Sequence, residues 1–122
     1  MRITINVGLS PGFHARQAYQ RGITEWNRIL CVAEWARYTI NGVVLIELHS
    51  GPEEGCVVVS GDYGGEVGEL RAKLFSLALE TQQDCIAAVI EGISGGILVG
   101  PHPATWWPFD ESKFIYPKGD KP

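Results

Sequence analysis

The hydrophobic period of this chain switches from two residues to about 3.6 and back, twice over, and that alternation limits the folds open to it. In RITINVG (2–8), Ile3, Ile5 and Val7 alternate with Arg2, Thr4 and Asn6, the pattern of a half-buried strand. LSPGF (9–13) ends it with a Pro-Gly turn signal. From Thr24, a residue with N-cap chemistry, the period becomes helical: Trp26, Ile29, Leu30, Ala33 and Arg37 fall on one stripe. Asn41-Gly42 breaks that helix and leads into a second strand, VVLIELHS (43–50). The third, CVVVSG (56–61), is almost wholly apolar, as a strand inside a sheet should be. After DYGGE (62–66), Val67, Leu70, Leu74, Leu77 and Ala78 trace a second amphipathic helix ending near Glu80. CIAAVI (85–90) is a fourth strand and ILVG (97–100) a short fifth.

The order β-α-β-β-α-β predicts an α+β domain of ferredoxin-like type. Two right-handed βαβ units then share one antiparallel sheet, with the first and third strands central and both helices on one face. Residues 1–100 make this domain. Residues 101–122, PHPATWWPFDESKFIYPKGDKP, form a Pro/aromatic extension expected to pack on the domain or on a neighbouring subunit. The sheet face without helices needs a cover, and another subunit is the expected one. HARQAYQRG (14–22) fits helix or loop equally.

Several functions are disfavoured at once. The 122 residues suffice for one core, and a net charge of −4 supplies no basic face for nucleic acid. No apolar run approaches the ~18 residues of a membrane span, and MRITINVGL lacks a signal-peptide pattern, so a cytoplasmic protein is expected. Cys31, Cys56 and Cys85 are far apart in apolar surroundings and read as reduced, buried thiols. His14, His49 and His102 lie neither at i,i+4 spacing nor beside a cysteine, and no metal or other cofactor is expected. Phosphate-loop, dinucleotide and zinc-protease signatures are missing, so the glycine runs SGDYGGEVGEL and EGISGG read as connections.

Two features stand out. In HSGPEEGCVVV (49–59), Glu53 and Glu54 are adjacent like charges in a Pro/Gly turn, directly before one of the most apolar runs in the chain. A solvated turn tolerates such a pair; beside a subunit cleft it becomes a site for a cationic ligand, because a buried carboxylate needs a cation nearby. The tail crowds Trp106, Trp107, Phe109, Phe114 and Tyr116 together, either to cover apolar surface or as a stacking wall for a planar ring.

The run Glu54-x-Cys56-Val57-Val58-Val59, the helix after it, the step Gln83-Asp84-Cys85-Ile86 into a strand, and the Gly-Gly-Ile-Leu-Val close resemble the phage S-adenosylmethionine-degrading enzymes, the SAM lyase family formerly called hydrolases. The resemblance spans residues 52–99 and rests on sparse motifs. It implies a fold similar to the PII-like trimers, with active sites between subunits of a homotrimer. It also implies cleavage of S-adenosylmethionine to 5'-methylthioadenosine and homoserine lactone, protecting phage DNA inside the bacterial host. Carried onto this sequence, Glu54 is the catalytic carboxylate, with Glu53 its neighbour in substrate binding. Gln83 either orients the substrate through its amide or simply ends the helix, and Ser10 and Phe13, in the loop after the first strand, are candidates for ribose and ring contacts.

That chemistry asks little of the protein. The substrate's own carboxylate attacks its γ-carbon, so the reactants are tethered and binding only selects the folded-back conformer. A protein carboxylate ~4 Å from the cationic part of the substrate gains about 4 kcal/mol at an effective dielectric of ~20, before desolvation. Held near the α-amino group, it avoids over-stabilising the sulfonium ground state. Strand alternation puts Glu54 on the face of Cys56 and Val58, and Glu53 on that of Val57 and Val59. Two other classes remain open: a non-catalytic PII-like module that binds an adenine ligand, and a small phage interaction or inhibitor protein. GPEEG is short for the long loop of the former.

Overall fold

The computed structural model of the chain describes residues 1–10, 12, 24–49, 55–103 and 109–118. Glu53, Glu54, Phe13 and the 14–22 segment lie outside them. The elements run β1 (Arg2–Gly8), α1 (Glu25–Thr39), β2 (Asn41–His49), β3 (Cys56–Asp62), α2 (Val67–Glu80), β4 (Ile86–Ile90) and β5 (Ile97–Val99). The strands form one open five-stranded sheet in the order β2-β3-β1-β4-β5, each neighbouring pair antiparallel. Among the described residues the architecture is α+β, with two α-helices on an open sheet. Among the described residues no helix is long and apolar enough to cross a membrane.

Register assigns the faces. Ile5 pairs with Val59 and Ala88, and Val7 with Val57, so these side chains point the same way. They join Val32 and Ala36 of α1 and Leu70, Leu74, Leu77 and Ala78 of α2 in one buried cluster. Full burial of each leucine contributes roughly 1.5–3 kcal/mol, which holds α2 to the sheet although Glu66 provides no side-chain cap bond.

In α1 the structure corrects the expected stripe. Thr24 caps the helix, its Oγ1 accepting from the Asn27 N–H at 3.1 Å. The buried positions, however, are Arg28, Val32, Ala36 and Thr39, while Trp26 is 62% exposed and Leu30 and Arg37 also face outward. Hydrophobicity alone ranked tryptophan and leucine above arginine and threonine. The helix instead turns Val32 and Ala36 to the sheet, where their small size allows close approach, with Arg28 and Thr39 buried at the two ends of the same face. The start of β2 also moves. Asn41-Gly42 does not precede the strand but opens it, with Gly42 at φ +72° beside a bulge that shifts register between Asn41 and Leu45.

The opposite sheet face presents Thr4 and Ser60, buried and 3.2 Å apart at their hydroxyls, with Asn6, Val58 and Glu47 side by side in register. The chain's own C-terminal segment crosses it. Asn6 donates Nδ2–H to the Ile115 carbonyl at 2.8 Å and accepts the Ile115 N–H on Oδ1 at 2.7 Å. On the far side of β3, the Lys118 N–H is shared between Glu47 Oε1 and Oε2 at 3.1 and 3.2 Å. Tyr116-Pro117 therefore spans the strand bearing Val58, which is 0% exposed. Upstream, Phe109 occupies the space a side chain would need at Gly96 and lies 5.9 Å from the Phe114 ring, which meets Tyr116 edge-on at 5.0 Å.

Candidate functional site

One end of the sheet collects the segments whose residue types suggested chemistry. β1 and β2 run toward it, and β3 and β4 start from it. The loop after Gly8, the flanks His49 and Gly55-Cys56 of the acidic turn, the Thr81–Cys85 step and Gly100–Pro103 all meet there. Backbone bonds join them. The Leu9 N–H donates to the Gly55 carbonyl at 3.0 Å, the Gly12 N–H to Gln82 at 2.9 Å, and the His102 N–H to Asp84 at 2.8 Å. A β-carbon on Gly12 would stand 2.6 Å from Asp84, and one on Gly100 2.5 Å from the Asp84 carbonyl oxygen. Both glycines are thus required by close approach on either side of a residue only 4% exposed.

Of the expected site residues, Ser10 and Gln83 are brought together. Gln83 Nε2 donates to the Ser10 carbonyl at 2.7 Å and, more weakly, to the Thr81 carbonyl at 3.4 Å. Its Oε1 faces Gly8, 2.8 Å from where a β-carbon would lie. The amide nitrogen thus serves the backbone, and the amide oxygen is the atom left to orient another group. Glu54, Glu53 and Phe13 fall outside the described residues, but the described flank Gly55 ties their turn to Leu9, one residue from Ser10.

Beneath these loops lies Arg28, which the sequence pattern did not single out. Its side chain is buried, with Nε donating to the Thr81 carbonyl at 2.8 Å, Nη1 to the Leu9 carbonyl at 3.1 Å and Nη2 to Gln82 Oε1 at 3.2 Å. Burial lowers its pKa, partly offset by the charge of Glu25. A guanidinium starts so high that it stays protonated at neutral pH. Gln82, which it holds, has φ +58°, the left-handed region that side chains disfavour. The available signal was spacing: Arg28 precedes Val32 and Ala36 by one and two turns on the buried face.

A second group is Glu47 with His49, alternate residues on β2 that share a face, their Oε1 and Nε2 2.8 Å apart. The Lys118 N–H and then His49 hold the Glu47 carboxyl below the usual carboxylate range. Cys31 and Cys85 are poor nucleophiles. Burial first, then nearby carboxylates (including the Cys31 Sγ bond to Glu80), push both thiols up to about 12. Among the described residues, no cluster of three or more His, Cys, Asp or Glu is placed to hold a metal ion.

The chemical capacity of this end of the sheet is therefore electrostatic and positional. It offers a frame of backbone bonds with a buried cation below, and it carries His49 and Gly55, the described residues on either side of the Pro/Gly segment. Comparison with protein families, curated proteins and solved structures finds no match to this chain.

Proposed function

We propose that this protein is an S-adenosylmethionine lyase of ferredoxin-like, PII-like architecture, acting as a homotrimer in the cytoplasm of a phage-infected bacterium. The observation that carries the reading is the convergence at one sheet end. The flank of the acidic turn, the loop after β1 and the Gln83-Asp84 step are distant in sequence, yet two hydrogen bonds link them, Leu9 to Gly55 and Gln83 to Ser10. Those segments include the residues on which the family resemblance rests. A reaction whose nucleophile is already part of the substrate needs a shaped, charged frame rather than a Ser/His/Asp constellation.

In this reading Glu54 holds the substrate's α-amino group, Glu53 adds negative potential, and the Gln83 amide oxygen helps fix the folded-back conformer. Ser10 and Phe13 border the nucleoside. The substrate carboxylate attacks its own γ-carbon, the C–S bond breaks, and the electron pair leaves with sulfur as methylthioadenosine. No proton is transferred.

The test is incubation with S-adenosylmethionine, following products by NMR. Methylthioadenosine with homoserine lactone is expected; homoserine as the first product would replace the intramolecular route with water attack. Glu54→Gln should fold normally and lose turnover by at least about a hundredfold, since a charge-assisted contact at the reacting substrate is removed. No turnover by the unaltered protein refutes the proposal; binding of adenine nucleotides instead would mark a non-catalytic PII-like module.

A further inference from the structure

We propose that Arg28 is a positioning residue of this site: a buried guanidinium that sets the spacing between the flank of the acidic turn and Gln83. The inference rests on the lyase reading for its catalytic consequence, while its structural content stands separately.

Arg28 is 2% exposed, and its three described side-chain acceptors are all neutral oxygens. Burying a charge is unfavourable, and an apolar side chain of similar volume would serve as well or better if filling space were the only task. The guanidinium adds a planar fork that fixes the relative positions of its acceptors. Here those acceptors belong to two loops, and each leads onward to the site. Leu9 gives its carbonyl to Arg28 Nη1 and its N–H to Gly55, the residue after Glu54. Thr81 gives one carbonyl oxygen to both Arg28 Nε and Gln83 Nε2. The third acceptor, Gln82 Oε1, belongs to a residue held in left-handed backbone, which turns the chain from the end of α2 into Gln83-Asp84. Arg28 thus reaches each half of the site through one intervening residue, Leu9 toward Gly55 and Thr81 toward Gln83.

The experiment compares the full-length protein with Arg28→Met, Arg28→Lys and Gln82→Gly, normalised to folded fraction and assayed well below melting. Turnover of S-adenosylmethionine and hydrogen exchange at the Leu9 and Gly12 amides are read together. Loss of positioning should cut kcat about 10–100-fold in Arg28→Met with KM moved no more than about threefold, and speed exchange at both amides about tenfold. Arg28→Lys, whose single ammonium does not span three acceptors, should rescue little. A folded Arg28→Met with kcat within twofold of wild type overturns the proposal. Should the wild-type protein be inert toward S-adenosylmethionine, the lyase reading fails by itself, and exchange decides Arg28 alone: unchanged protection at Leu9 and Gly12 overturns its positioning role. Should Arg28→Met not fold, Gln82→Gly decides. It accepts the positive φ and deletes one acceptor, so a smaller loss in the same direction is expected, and wild-type behaviour in both readouts overturns the proposal.

Discussion

Removing the Asn6 side chain should loosen the C-terminal segment and little else. Its two bonds to Ile115, at 2.8 and 2.7 Å, use one donor and one acceptor of a single amide, so the side chain acts as a strand neighbour for one residue of the tail. Each such bond is worth about 0.5–1.5 kcal/mol net. Asn6 is only half-buried, so water replaces part of what is lost, and Asn6→Ala should cost about 1–2 kcal/mol. That corresponds to roughly a 5–30-fold rise in the opening equilibrium at Ile115. The assay is native-state hydrogen exchange at the Ile115 amide, with the amides of β1 and β3 as internal reference. Asn6→Asp should also open the segment, because a carboxylate retains the acceptor but sets an oxygen against the Ile115 carbonyl. The Glu47 contact at Lys118 and the buried Phe114 ring remain in both variants, so global unfolding should move much less than local exchange. Ile115 exchange within twofold of wild type in Asn6→Ala would refute the idea that this clamp holds the tail.

Gly96→Ala should destabilise by about 1–3 kcal/mol in denaturant unfolding, because φ is +64° and its β-carbon would stand 2.5 Å from the Phe109 ring. Gly42→Asn, at φ +72° with open space around it, should cost well under half as much. The Glu47 carboxyl has its folded pKa depressed by the Lys118 N–H and His49, so its stabilising contribution is present above the unfolded pKa of about 4.3 and disappears as pH falls through the lower folded value. Lys118 amide exchange, corrected for intrinsic rate, should therefore accelerate on acidification and lose that step in Glu47→Gln. With thiols pushed up to about 12, Cys31 and Cys85 should alkylate far more slowly than free cysteine at pH 8, and mass spectrometry after iodoacetamide treatment checks this.

Much of the framework was legible because it is local. β1 occupies the residues where the alternation of Ile3, Ile5 and Val7 runs, and α2 the span marked by Val67 to Glu80. β3 is interior, as its apolar run required. What pattern reading missed involves partners far along the chain. The local pattern does not single out Arg28, because its acceptors lie at Leu9, Thr81 and Gln82. The pattern likewise does not show that the Gln83 amide nitrogen donates to the Ser10 and Thr81 carbonyls.

The sequence by itself determined the element order, most element boundaries and the buried face of α2, since period and turn chemistry act within a few residues. Only the tertiary structure decided which face of α1 is buried, why Thr4, Ser60 and Val58 are sealed on the side away from the helices, and that Asn6 grips Ile115. Those outcomes depend on backbone acceptors and donors that become neighbours only after the sheet has formed. A side chain's own chemistry does not specify which distant carbonyl will lie within 3 Å of it.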